Sequence, residues 1–243
     1  MKRILLTTVS LGVLGLLSPA LAADLPYAKA PVVATPVYDW SGYYVGVFGG
    51  GGLGNHNYNN ANGFAGFANF TVNYASTGAV GGGEAGYNWQ TGNYLFGVEA
   101  DGFWSGIKGN DASQQLGVTD QSNLRWGGTL RARGGVTVDR LLLFFTGGWA
   151  FGDILHTSTA AGFPVDQFTN HQSGLTAGGG IAYALTNNVI GKIEYRYYDL
   201  GRYSRAGNPL TPNGQLPYTV DNTYSVVTLG VDFKFGGSVV AKY

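Results

Sequence analysis

Acids and bases recur in this chain at a spacing of two, interleaved with apolar residues. Glu99 and Asp101 alternate with Val98, Ala100 and Trp104, and Arg125, Thr129, Arg131 and Arg133 alternate with Leu124, Trp126, Leu130 and Val136. Lys192, Glu194 and Arg196 alternate with Ile193, Tyr195 and Tyr197, and Asp232 and Lys234 with Val231, Phe233 and Phe235. A period of two puts each set on one face of a β-strand. The chemistry open to such a set is ion pairing across a shared interior, or a polar lining for ions and small solutes.

Other chemistries are weaker. The three histidines, His56, His156 and His171, fall at strand–loop borders or in loops, with Asp153 and Ser158 near His156 in sequence. Solvated loop polars account for them, so neither a catalytic set nor a metal or haem site is assigned. There is no cysteine, and no cofactor is called for. GGGGLG (49–54) and GGGEAG (81–86) open no helix, which excludes a phosphate loop. A formal charge of zero gives no sign of a nucleic-acid partner.

The elements that position these charges follow from the same periodicity. Lys2 and Arg3, an apolar run from Ile4 to Leu17 and the small-residue end Ala20-Leu21-Ala22 predict a signal peptide over 1–22. Prolines at 26, 31 and 36 predict an extended periplasmic linker over 23–39, with the barrel over 40–243. Eight period-two segments follow, at 40–54, 76–90, 93–107, 122–138, 140–156, 172–186, 188–203 and 222–235, each well beyond the ~5–6 residues of an ordinary strand. Tight turns such as Thr91-Gly92 alternate with long polar connections at 55–75, 108–121, 157–171 and 204–221. An even number of antiparallel strands therefore places every tight turn at one end and every long loop at the other. That is the plan of an all-β, eight-stranded transmembrane barrel with short periplasmic turns and four longer outer loops.

Lipid offers the backbone no hydrogen bonds, so a sheet within it closes on itself, apolar side out. A soluble β-sandwich or lipocalin-like barrel would share the alternation, but charged residues are only 12 % of the chain, too few to cover a soluble surface. Counted upward from the tight turns, Glu84, Glu99, Asp101, Arg131, Arg133, Glu194 and Arg196 reach similar heights and predict a charged belt across the lumen. Arg125, Lys192, Asp232 and Lys234 are expected as further lumen charges. Folding about the second turn sets Glu84 opposite Glu99, a repulsive pair unless arginines bridge it. The belt is either a salt-bridged plug or the lining of a small-solute pore, since inward glycines at 46, 82, 86, 127, 178, 180 and 230 leave some room. The narrow interior of eight strands favours the plug.

Three stretches, ALAADLP (20–26), YDWSGYYVGVFGGGGLG (38–54) and VTLGVDFKFGGSVVAKY (227–243), resemble the outer-membrane immunogenic, or porin-family opacity-like, proteins of Gram-negative bacteria. The resemblance implies an eight-stranded barrel delivered to the cell outer membrane by the outer-membrane assembly machinery, in contact with outer-membrane lipid and lipopolysaccharide. The expected role is non-enzymatic, structural or surface-interacting, with the outer loops as the place for a host or cell-surface ligand.

Overall fold

The computed structural model describes residues 38–60, 70–110, 118–160, 163–205 and 218–236. The leader, residues 23–37 of the linker and 237–243 lie outside the described residues. Nine strands form one antiparallel ring: β1 (Gly42–Asn60), β2 (Phe70–Thr91), β3 (Tyr94–Ser105), β4 (Lys108–Asn110), β5 (Val118–Val138), β6 (Leu141–Ala160), β7 (Phe163–Ala184), β8 (Val189–Arg205) and β9 (Tyr218–Phe235). Apart from β3 and β4, strands adjacent in sequence pair with one another, and β9 returns to β1 to close the sheet. β3 and β4 both lie between β2 and β5 and make up one wall position, interrupted at Gly106-Ile107, so the ring has eight positions.

The outward face carries an apolar band. On β3 it runs from Tyr94 through Phe96 and Val98 to Trp104, all exposed. Those 11 residues, at ~3.3 Å each and a ~40° tilt, span ~25 Å, the height of a bilayer's apolar zone. The same rows hold Val45 and Val47 on β1, Leu143 and Phe145 on β6, Ile193 and Tyr195 on β8, and Leu229 and Val231 on β9, all exposed. Charged side chains are buried instead: Glu84, Glu99, Asp101, Arg131, Arg133, Lys192, Glu194, Arg196 and Asp232 face the lumen. Water would reverse this distribution, and lipid enforces it.

The strands run further outward than the alternation alone predicts. β1 and β2 pair up to Asn60 and Phe70, β6 and β7 up to Ala160 and Phe163, and β8 and β9 up to Arg205 and Tyr218. Much of 55–75, 157–171 and 204–221 is thus ladder rising above the apolar band, and the connecting residues 61–69, 111–117, 161–162 and 206–217 lie outside the described residues. Pro164 sits in this extension at a register shift opposite Thr159, where a missing donor is tolerated.

The turn end is sealed by residues the sequence assigns partly to the linker. Tyr38 and Trp40 are buried, their rings edge to face at 5.0 Å. Asp139, in the β5–β6 turn at φ 49°, accepts from the Tyr38 backbone N–H on its carboxylate (3.2 Å) and from Trp40 Nε1 on its carbonyl (3.0 Å). Asp tolerates the left-handed region better than most residues, and here that turn aims both acceptors at the incoming chain. Lys234 donates to the Asp39 carbonyl and lies 4.5 Å from the Tyr38 ring centroid. Among the described residues, packing at the turn end thus includes Tyr38, Asp39 and Trp40.

Candidate functional site: a charged belt inside the barrel

The lumen is layered. At the turn end Tyr38, Trp40, Leu95, Leu142, Phe144, Ala182, Ala184 and Ile190 form one apolar cluster. Further out Phe48, Val80, Phe103, Ile107, Leu124, Ala150, Ile154, Tyr198, Leu200, Tyr224 and Val226 form a second. The charges lie among these inward-facing rows.

Arg131 on β5 is 1 % exposed and reaches three acids. Its Nη2 pairs with Glu99 and lies 3.1 Å from Asp101 Oδ2, and its Nη1 donates to Glu194 Oε1 at 2.5 Å. Arg196 on β8, fully buried, donates to Glu194 Oε2 (2.8 Å), to Glu84 Oε2 (3.2 Å) and to Asp101 Oδ2 (3.4 Å). Lys192 pairs with Glu84 and lies 3.7 Å from both Glu99 and Asp232. Arg133 stands 3.6 Å from Glu99 and 3.9 Å from the centroid of the Phe144 ring. Five carboxylates (Glu84, Glu99, Asp101, Glu194, Asp232) thus meet four cations (Arg131, Arg133, Lys192, Arg196), all buried. Away from water such charges persist only when paired and hydrogen-bonded.

The structure places the expected belt residues together and changes several details. Glu84 lies opposite Asp101, not Glu99, and Arg196 bridges that pair. Lys192 and Asp232, expected as separate lumen charges, join the belt, whereas Lys234 sits at the turn-end seal. Arg125 is not a lumen charge. It is exposed on the outside, because the β5–β6 register shifts between Leu124 and Trp126, and a bulge turns the extra residue away from its strand's alternation.

Tyr44 belongs to the site and was not expected there. Its hydroxyl donates to Glu99 Oε2 at 2.6 Å and accepts from Arg133 Nη1 at 3.3 Å. Its sequence signal is the inward phase it shares with Gly46 and Phe48. Most of the inward glycine positions are filled by neighbouring side chains. A Cβ at Gly46 would meet the Asp232 carboxylate, at Gly86 the Tyr44 ring, at Gly127 the Phe103 ring, at Gly180 the Phe144 ring and at Gly230 the Lys192 stem. The glycines make room for their neighbours' large side chains.

The histidines also differ from expectation. His56 and His156 are buried inside the barrel, above the apolar band. His56 Nδ1 lies 2.6 Å from Asn222 Oδ1, and Nε2 lies 2.9 Å from Ser76 Oγ. Asn222 Nδ2 donates to Gln172 Oε1 (3.0 Å), and with Asn222 Oδ1 as acceptor His56 Nδ1 is the donor. Asp153 lies 2.9 Å, Oδ1 to Nδ1, from the exposed His171. The three carboxylates Glu84, Glu99 and Glu194 lie close enough to hold a metal ion, but Arg131, Lys192 and Arg196 already occupy them.

Burial lowers the His56 imidazole, against a smaller opposing pull from Asn222, and pushes His156 down to about 4, with His56 adding to the effect. The unfolded chain, with His near 6.5, then binds more protons between about pH 4 and 6.5. The stability these groups contribute is complete above about 6.5 and is lost as pH falls toward 4. Resistance to urea unfolding in detergent micelles will therefore fall as pH drops across that window, and His156→Gln will flatten the slope.

The family description "outer membrane protein beta-barrel domain" matches residues 11–235. The 31 kDa outer-membrane immunogenic protein of Brucella melitensis is 31 % identical over 238 residues, covering 89 % of this chain and 93 % of that one. The 22 kDa outer membrane protein of Rhizobium leguminosarum is 33 % identical over 171 residues, 70 % of this chain and 68 % of that one. Among solved structures, the outer membrane protein OprG of Pseudomonas aeruginosa shares the fold at TM-score 0.50 and 12 % identity, over 80 % of this chain and 96 % of that one. With its inside-out ring of eight strand positions and a match across almost all of that ring, the chain belongs to the outer membrane protein beta-barrel family.

Proposed function

We propose that this outer-membrane barrel is a closed anchor that presents its outer rim to the surroundings, and that it neither conducts solutes nor catalyses a reaction. The observation that carries the proposal is the pair Arg131 and Arg196. Both are buried, and between them they bind acids on β2, β3 and β8 across the lumen. Two apolar clusters and the ring-filled glycine positions support the same reading. Against an enzyme, Ser122 Oγ lies 3.0 Å from His156 Nδ1, but both are buried and Asp153 is engaged by His171.

Specificity then rests with the rim. A groove of ≈ 520 Å³ there is lined by Asn55, Asn57, Asn73, Asp221 and Thr223 among others, amide, carboxylate and hydroxyl groups suited to sugar-rich partners such as lipopolysaccharide or a host surface. Delivery by the outer-membrane assembly machinery completes the reading. Purified protein in planar bilayers will give no steady conductance. Stable, uniform steps that change with Arg131→Ala and Arg133→Ala would replace the closed anchor with a charge-lined porin.

A further inference from the structure

The apolar band is not uniformly thick. Around most of the ring its outward positions carry bulky groups, such as Leu143, Phe145 and Trp149 on β6 or Leu229 and Val231 on β9. Between β1 and β5 it thins. The register aligns Val47, Gly83, Gly102, Gly128 and Phe151 in one row across five strands. In the next row outward, Gly81 pairs with Trp104 and Trp104 with Trp126. The result is a groove of ≈ 870 Å³ on the lipid side, with Val47 at one margin and Trp104, Trp126 and Phe151 at the other. Of the glycines in this row, Gly128 is held by crowding from the Asp101 carbonyl and the Phe151 ring, but Gly83 and Gly102 are not. A Cβ at Gly102 would meet nothing within 4 Å, and one at Gly83 only a carbonyl at 3.5 Å. Their effect is depth.

At the outer end of this groove stand two cations. Lys108 on β4 is exposed and pairs with Thr77, on the β2 strand that floors the groove. Arg125 is exposed beside Trp126, where the bulge sets successive residues on the outside together. Among the described residues neither has an acidic partner. Arg202 at the same end is paired with Asp221 at 2.9 Å, and Asp153, across from Trp126, is held by His171. Tryptophans at the edge of the band mark the headgroup level, so both cations lie where lipid phosphates lie.

We propose that this face seats one molecule of lipid A, the diphosphorylated, acylated glycolipid unit of lipopolysaccharide, with an acyl chain in the groove beside Trp104 and a phosphate on Lys108 and Arg125. The seat rests on assigning the long-hairpin end to the cell surface, where the outer leaflet holds this lipid. Within a bilayer no hydrophobic force separates one acyl chain from another, so the groove contributes van der Waals fit. Selectivity comes from charge, since guanidinium meets phosphate in a bidentate geometry and ammonium meets it as a point charge.

The test is native mass spectrometry of the folded protein released from detergent micelles and titrated with diphosphoryl lipid A, dephosphorylated lipid A or phosphatidylglycerol. Heat-modifiability on gels confirms the fold of every species compared. Wild type is expected to retain one diphosphoryl lipid A and to prefer it over the other two. Lys108→Gln with Arg125→Gln will lower that affinity about tenfold or more, because charge-assisted contacts of this kind are each worth ~1.5–3 kcal/mol. Gly83→Leu with Gly102→Leu, which fills the groove without a backbone clash, will weaken all three lipids. Equal retention by wild type and both folded variants, or no preference for the phosphorylated form, overturns the seat and leaves the closed lumen unaffected; conductance with lipid binding intact does the reverse.

Discussion

Replacing Arg131 with methionine will destabilise the barrel by about 3–5 kcal/mol, measured as a shift in the urea midpoint of the heat-modifiable form in detergent. The side chain is 1 % exposed and serves Glu99, Asp101 and Glu194 together. Its removal leaves three carboxylates sharing what Arg196, Lys192 and Arg133 still offer. Neutralising an acid alongside relieves part of that loss, so Arg131→Met with Glu99→Gln will be less harmful than the two single changes summed. A loss under ~1 kcal/mol would mean that the belt is solvated, as in an open channel, because exposed pairs are worth only that much.

Leu130→Arg will cost about 2–4 kcal/mol, although Leu130 adjoins Arg131, where the same guanidinium is accommodated inside the barrel. Leu130 is 64 % exposed, between Trp126 and Val138 on the outward row of β5. There the guanidinium would meet acyl chains near the midplane. The same substitution at Asn57, exposed above the band on β1, will cost at most ~1 kcal/mol. Refolding yields and urea midpoints in lipid vesicles separate the two. Equal effects at both sites would contradict the assignment of the outward face to lipid.

The alternation of charge with apolar residues made the ring and most of the belt legible, because each strand has one greasy and one polar face from end to end. What it could not carry is register. Taking Thr91-Gly92 as the turn sets Glu84 against Glu99; the observed turn closes Thr91 on Tyr94, with Gly92 at φ 62°, and moves the partner by two residues to Asp101. Arg125 was misplaced for a related reason. Nothing in SNLRWGG marks the extra residue, and Thr129, Arg131 and Arg133 beyond it keep the phase the alternation gives them. Lys192 joins the belt because the stagger between strands sets its height, and stagger is a property of the closed ring. Tyr44 carries no formal charge, so a count of acids and bases passes over it. The histidines fall at the edges of the period-two segments because β1 and β6 continue past the lipid as paired strands, which polar Asn- and Thr-rich sequence does not announce.

Some partners in the belt belong to strands that are not neighbours. Arg131 on β5 needs Glu194 on β8, and Arg196 on β8 needs Glu84 on β2. Each half of the sheet can satisfy only part of the circuit: β3 and β5 pair Glu99 with Arg131 and Arg133, and β8 pairs Glu194 with Arg196. Glu84 on β2 has its cations, Lys192 and Arg196, on β8 alone, so it gains them only when the cylinder closes.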